Sequence, residues 1–309
     1  MHVNWDLPDM RQFDVVILNT SYLSTAAQWM MRVQLRNTPW VFWGERLRRL
    51  EVPWQRVLQR WLTAPFAQAS GIVCIGSVAQ NHYRRRFPSQ RLFNIPYFCD
   101  LDAFRTKATA GSAPRERALD VNAEAKTVQF LFCGQMIPRK GVDLLLEAFE
   151  SLVEDDLPVE LRLVGREADL PDMLRDVSAR TREHVVFEGF QDPMDLPEFF
   201  EAADVFVLPS RHDGWGVVVN QALGAGLPLV CSDAVGAAHD IIVPGRNGTL
   251  VPAGDVDALA DALRHLAMSP ETRRAWGRHA LASVDDWTPT AGARRWVDVI
   301  RAVLSPASP

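Results

Sequence analysis

The chain has 309 residues, 48% of them hydrophobic and 23% charged, with a net charge of −5. That length suits about two domains of roughly 150 residues, and the composition excludes a disordered tail. Residues 41–91 hold nine arginines against two glutamates, a local +7, while 92–309 carry −12, so the two halves are expected to face different partners.

The opening "MHVNWDLPDM" lacks a basic region followed by an apolar core, so no secretory signal is expected. No apolar run approaches the roughly 18 residues of a membrane-spanning helix. The four cysteines, Cys74, Cys99, Cys133 and Cys231, are widely spaced, with no Cys-x-x-Cys pair or Cys/His cluster. Neither a zinc site nor a disulfide framework is indicated, and a reducing, cytoplasmic setting is expected.

In residues 13–97, "FDVVILNT", "PWVFWGE", "GIVCIGS" and "RLFNIPY" read as buried strands with helices between them. "VPWQRVLQRWL" (52–62) puts Trp54, Leu58, Trp61 and Leu62 near one helical face, with Arg56 and Arg60 elsewhere. Two readings stand: a core face with solvated arginines, or a helix resting on an anionic membrane surface. "YRRRF" (83–87) either extends the basic surface or is a solvated helix end. The polar stretch 105–127 reads as a linker.

From residue 128, short apolar runs alternate with helical patterns. "VQFLFCG" precedes "VDLLLEAFESLVE", where Val142, Leu145, Leu146, Phe149, Leu152 and Val153 share one face. "VELRLVG", "HVVFEGF", "ADVFVLPS" and "LPLVCSD" follow, each separated by a helix-like segment. The pattern predicts an α/β domain with a doubly wound parallel sheet of Rossmann type.

In such sheets ligands bind beyond the carboxyl ends of the strands. Two strand ends carry suitable chemistry. "CGQMIPRKG" (133–141) ends a strand at Gly134 and sets Arg139 and Lys140 at the next helix start, which suits a phosphate; alone it also reads as a solvated charged loop. "PSRHDGWGVVVNQ" (209–221) places Asp213 before a Gly214-Trp215-Gly216 turn into a helix near Val217, with Gln221 about one turn inside. Asp213 alone reads as a helix cap, the commoner use of such a residue.

These motifs together resemble the retaining glycosyltransferases of family four, glycosyl transferases group 1, whose GT-B fold has two facing Rossmann-like domains. In "GQMIPRKG" Lys140 fits the family's phosphate-binding lysine, and Gln135 stands where the family has arginine. Pro209 and Ser210 match the second motif, with Asp213 in place of its first glutamate and Gln221 in place of its second. Gly236, Asp240, Gly248 and Asp255 fall at a glycine, an acidic residue, a glycine and an acidic helix cap. The strong resemblance covers about 128–268, with weaker stretches at 95–104 and 287–300.

The resemblance implies an N-terminal acceptor-side domain at 1–104, shortened at its start, and a linker at 105–127. It implies a nucleotide-sugar-binding domain at 128–285 and a C-terminal helix at 286–309 that packs back on the first domain. It also implies transfer of a sugar from a nucleotide-diphosphate donor to an acceptor hydroxyl with retained configuration, in polysaccharide or glycolipid synthesis. Lys140 and Asp213 are then the catalytic pair. Gly134, Gln135, Arg139, Gly189, Gly214, Trp215, Gly216, Val217 and Gln221 surround the donor, and Glu45 and Arg46 meet a carbohydrate or lipid-linked acceptor. Apart from the resemblance, the +7 stretch and the face of 52–62 suggest a cytoplasmic protein with peripheral contact to the inner membrane face through 46–62 and 83–87.

No cofactor or metal is expected. The pairs Asp100/Asp102 and Asp255/Asp257 are each too few for a magnesium site, and His212 reads as a polar loop neighbour of Asp213. Nothing resembles a nucleic-acid recognition module. The competing class is a non-catalytic or weakly active subunit of the same fold, which the replacements at Gln135 and Gln221 favour.

Overall fold

The computed structural model describes residues 9–47, 50, 52–109 and 127–305. Expectations for residues 1–8, for Arg48, Arg49 and Glu51 of the basic stretch, and for 110–126 of the expected linker lie outside the described residues. By its contacts the chain divides into two compact units, Met1–Tyr97 with Thr290–Pro309, and Phe98–Pro289. The first unit therefore ends short of the expected boundary at 104.

The first unit alternates strand and helix: β1 (Val16–Leu18), α1 (Thr25–Arg32), β2 (Trp40–Gly44), α2 (Pro53–Thr63), β3 (Gly71–Cys74), α3 (Ser77–Arg86) and β4 (Leu92–Asn94). The strands are parallel in the order β1-β2-β3-β4. Every residue of β3 is buried, as a strand covered on both faces requires. Beneath the sheet Phe42 stacks on Phe66 at 4.2 Å between centroids. The buried Tyr83 donates its hydroxyl to the Glu45 carbonyl at 2.9 Å, tying α3 to the loop after β2.

Helix α2 does not bear out the core-face reading. Trp54 is 63% exposed, Val57 66% and Trp61 59%, and the only buried residue of the helix is Thr63. The apolar face is therefore not a core face. In "YRRRF", Tyr83 is an anchor of the core while Arg84 and Arg85 are exposed at the end of α3.

The second unit opens with α4 (Asp102–Thr109), followed by β5 (Val128–Cys133), α5 (Val142–Glu154), β6 (Val159–Val164), α6 (Leu170–Met173), α7 (Ala179–Glu183), β7 (Val185–Gly189), α8 (Leu196–Ala202) and β8 (Val205–Leu208). Then come α9 (Val217–Gly224), β9 (Leu229–Ser232), α10 (Ala238–Ile241), β10 (Gly248–Val251), α11 (Val256–Met268) and α12 (Pro270–Ala282). The start of the expected linker is thus corrected: residues 105–109 are helical. Asp100 Oδ1 accepts the Asp102 N–H at 3.0 Å, and Phe104 sets its ring edge-on to Phe200 at 5.3 Å. Tertiary packing outweighs the polar composition.

All six strands are parallel in the order β10-β9-β8-β5-β6-β7. The chain winds outward from β5 to β7, returns to β8 beside β5, and winds outward the other way. The topological switch point therefore lies between β5 and β8, the place where open sheets of this kind bind ligands at the strands' carboxyl ends. Val142, Leu145, Leu146, Phe149, Leu152 and Val153 of α5 are all buried, each such side chain contributing about 1.5–3 kcal/mol of apolar burial. The last helix, α13 (Pro289–Leu304), belongs almost wholly to the first unit, where Trp296 meets Trp43 edge-on at 5.2 Å.

Candidate active site

Two loops meet at the switch point of the second unit. After β5, Gly134 lies so close to Gly165, at the end of β6, that a Cβ on Gly165 would stand 1.8 Å from the Gly134 carbonyl oxygen. A 3-10 turn, Pro138–Lys140, then carries Arg139 and Lys140 up to Gly141, which caps α5 at φ +73°. The positive φ suits glycine. A Cβ there would also sit 2.2 Å from the Pro209 carbonyl oxygen, so this glycine lets the β5 loop press against the loop after β8.

Further bonds stitch the loops together. Arg211 makes a two-pronged contact with Asp143, 2.7 Å to each oxygen, and reaches the Pro138 carbonyl at 2.6 Å. Arg139 Nη1 donates to the His212 carbonyl at 2.9 Å, and the Arg211 N–H donates to the Arg139 carbonyl at 2.9 Å. Burial acts to raise the Asp143 pKa, but the bonds from Arg211 outweigh it and hold the carboxyl below its ordinary value. Arg211 and Asp143 carry this frame although no motif marks them. Their pairing across the fold is invisible in the sequence.

Within the frame, Lys140 Nζ donates to Asp213 Oδ2 in a mostly buried ion pair. Asp213 is only 8% exposed. Its backbone pairs with the segment after β9, the N–H bonding Ala234 and the carbonyl accepting from Gly236. Gly236 is needed there, since a Cβ would fall 2.2 Å from the Gly214 carbonyl oxygen. Gly216, at φ +91°, caps α9 without a side-chain bond, and the Val219 N–H turns back to the Gly216 carbonyl at 2.9 Å; the start of the helix carries the positive end of its dipole.

The remaining candidates fall into four groups. Gln135 and Arg139 are exposed, as is Val217 at the first position of α9. Gln221 stands one turn into α9, half-buried and outside the Lys140–Asp213 pair. Gly189 ends β7 at φ +74° with open space where a Cβ would be. Trp215 faces inward: it is buried, gives its indole N–H to Asn220 at 2.9 Å and packs near Trp287. It anchors the turn, and the fully buried Asn220 is its partner. That residue has a sequence signal, an amide beside Gln221 in the otherwise apolar run "VVVNQALG".

Asp255 accepts the Ala258 N–H at 2.9 Å and so caps α11. Among the described residues no group of three or more His, Cys, Asp or Glu side chains could hold a metal ion. All four cysteines are free thiols, and burial pushes Cys133 up to about 11 against the opposing charge of Lys140. No helix among the described residues is long and apolar enough to cross a membrane. Glu45 and Arg46 lie in the first unit, on the rim of a separate cavity under α2.

The fold is that of the GT-B glycosyltransferases, two Rossmann-like domains with parallel sheets. Sucrose-phosphate synthase from Thermosynechococcus elongatus superposes with a TM-score of 0.75 at 23% identity, over 94% of this chain and 74% of that one. HepE from Anabaena, in complex with UDP, gives 0.75 at 18% identity over 94% and 79%. At these identities the likeness establishes the fold alone.

Sequence narrows the class for the second unit, where residues 127–269 match the family described as glycosyl transferases group 1. A phosphatidyl-myo-inositol mannosyltransferase of Mycobacterium leprae is 30% identical over 81% of this chain and 63% of its own length. A GDP-mannose-dependent phosphatidylinositol monomannoside mannosyltransferase of Mycolicibacterium smegmatis is 31% identical over 67% and 56%. The chain thus spans less than two thirds of these curated relatives.

Proposed function

We propose that the protein transfers a sugar from a nucleotide-diphosphate donor to an acceptor hydroxyl with retention of configuration, as a step in polysaccharide or glycolipid synthesis. The observation that supports this reading is the Lys140–Asp213 pair at the switch point, with the start of α9 four residues beyond Asp213. A diphosphate that takes Lys140 from Asp213 gains its ammonium charge and lies beside a helix N-terminus.

In this reading the bond between the anomeric carbon and the diphosphate oxygen breaks, and negative charge grows on the leaving group. Lys140, assisted by Arg139 and the start of α9, stabilises that charge. The acceptor hydroxyl attacks from the same face, and its proton passes to the leaving phosphate oxygen, so no carboxylate nucleophile is required. Asp213 exchanges Lys140 for the donor sugar's hydroxyls and orients the anomeric carbon. Gln221 bonds the ribose as donor or acceptor. The acceptor, a carbohydrate or lipid-linked alcohol, meets Glu45 and Arg46, and the basic first unit rests on the inner face of a membrane through 46–62 and 83–87.

Incubation with nucleotide sugars and NMR of the product tests this reading. Release of nucleoside diphosphate with an anomeric configuration equal to the donor's is expected; inversion overturns the mechanism. One observation favours the competing reading, nucleotide-sugar binding without turnover: Lys140 is already neutralised by Asp213. Tight donor binding with no transfer or hydrolysis would decide for it.

A further inference from the structure

A short column of aromatic rings backs the turn 213–216. The buried Trp215 lies with its ring centroid 6.0 Å from that of Trp287, and Trp287 stacks on Phe98 at 6.1 Å. Both spacings fall within the roughly 4.5–7 Å of interacting aromatic pairs. Trp287, only 8% exposed, ends the 3-10 turn Val284–Trp287 that follows α12. An ion pair of 2.6 Å from Arg105 of α4 to Asp285 holds that turn. At the far end of α9, a Cβ on Gly224 would stand 3.2 Å from Leu101 and 3.3 Å from Phe104. Helix α9 is therefore gripped at both ends by segments outside the two loops of the site.

A shift of Trp215 cannot stay local. Its carbonyl accepts the Ala237 N–H at 2.8 Å, and the Asp213 carbonyl accepts the Gly236 N–H at 3.1 Å. A Cβ on Gly236 would lie 3.3 Å from the Trp215 Cα, and one on Gly216 would lie 3.6 Å from the Asp213 carboxyl carbon. Packing this close transmits displacement. The indole bond to Asn220 fixes the Trp215 ring to α9 itself. Trp287 ties the same ring to the C-terminal part of the unit.

Resting on the reading of Asp213 as the residue that orients the donor sugar, we infer that Trp287 is a positioning residue for it. Trp287 seats Trp215, Trp215 sets the turn, and the turn sets the Asp213 carboxylate beside Lys140. Trp287 lies outside the stretch 127–269 that carries the family match. A misplacement of about 1 Å from a change remote from the chemistry can cost about 100-fold in rate. Displacing the turn disturbs the oriented sugar more than the diphosphate, which Lys140 holds from the other loop. The loss therefore falls on kcat more than on KM.

The test compares Trp287→Ala and Trp287→Phe, with Phe149→Leu as a control that removes a buried ring from α5. Release of nucleoside diphosphate from UDP-glucose or GDP-mannose gives kcat and KM, and amide hydrogen exchange reads the turn directly. Trp287→Ala should lower kcat at least about tenfold while donor KM changes by less than about threefold. Trp287→Phe keeps a ring in place and should recover most of the loss. In Trp287→Ala the amides of Asp213, Gly236 and Ala237 should exchange at least about tenfold faster. The Val128 amide, bonded to the Pro158 carbonyl at the opposite end of the sheet, should keep its rate. Phe149→Leu should lower the melting temperature without that local pattern. If Trp287→Ala does not fold, Phe98→Leu removes the other ring that Trp287 meets and should give the same pattern more weakly. If the wild-type chain turns over neither sugar but the three amides respond as described, the donor reading fails and the seating of the turn by Trp287 stands. Unchanged exchange at the three amides, equal acceleration at Val128, or an unchanged kcat in folded Trp287→Ala overturns the inference.

Discussion

Lys140 and Asp213, 73 residues apart in the chain, are bonded to one another at the switch point of the second unit. The pair joins the loop after β5 to the loop after β8, with both side chains mostly withdrawn from water. A diphosphate that takes Lys140 must therefore compete with Asp213. In the proposed reading a donor sugar gives Asp213 new hydrogen bonds in return, whereas a bare nucleoside diphosphate does not.

The competition makes Asp213→Asn informative. Removing the carboxylate frees Lys140, so UDP or GDP should bind several-fold more tightly to the variant. Turnover of the nucleotide sugar should fall about 100-fold, because the sugar is no longer held in its reactive orientation. Calorimetric titration and steady-state kinetics on one preparation read both quantities. Weaker nucleotide binding in the variant would show that the pair does not compete with the ligand.

Replacing the lysine acts differently. Lys140→Met leaves Asp213 buried with no cation, and loss of one partner from a buried pair typically costs about 3–5 kcal/mol. Turnover should fall about 100- to 1,000-fold, the usual effect of removing one preorganised group at a developing charge. Adding Asp213→Asn should recover most of the lost melting temperature but none of the turnover. A double variant as unstable as Lys140→Met would contradict the electrostatic account.

Gln221 is assigned to the ribose, whose contacts change little between ground and transition states. Gln221→Ala should therefore raise the donor KM with little change in kcat. Gln221→Glu should retain or tighten donor binding, because an ionised acceptor makes stronger bonds to hydroxyls. Steady-state kinetics with varied donor settle this. A fall in kcat alone for Gln221→Ala would move the residue to the reacting end of the donor.

The alternation of the second unit is plain in the sequence because each strand of "VQFLFC" type is followed by a helix with a clear apolar face. Two elements escape that reading. The strand β10, "GTLV", is four residues long and mixed in polarity, and only pairing with β9 makes it a strand. Helix α4 opens a polar stretch and is held by Phe104 against Phe200. At the site, the turn glycines and the charged loop are legible as types, but the partners are not. The bonds of Lys140 to Asp213 and of Arg211 to Asp143 cross the fold. Trp215, beside the motif carboxylate, faces inward because Asn220 takes its N–H.

Two glycines with similar φ should respond differently to alanine. At Gly189 nothing lies within 4 Å of the new Cβ, so Gly189→Ala carries only the left-handed backbone cost of about 1–2 kcal/mol. Gly141→Ala adds a collision with the Pro209 carbonyl and must push the two loops apart. It should lower the melting temperature more and depress turnover through the displaced Lys140. Equal melting temperatures for the two variants would show that the loops are not closely locked.

The central claim is that the switch point of the second unit binds a nucleoside diphosphate through Lys140. Thermal unfolding with UDP or GDP, in the presence of a chelator, tests it most directly. At about 100 times the dissociation constant, one of the two should stabilise the wild-type chain by roughly 2.7 kcal/mol. In folded Lys140→Met that stabilisation should shrink markedly at the same concentration. No shift with either nucleotide on well-folded wild-type protein, or the same shift in Lys140→Met, would contradict it.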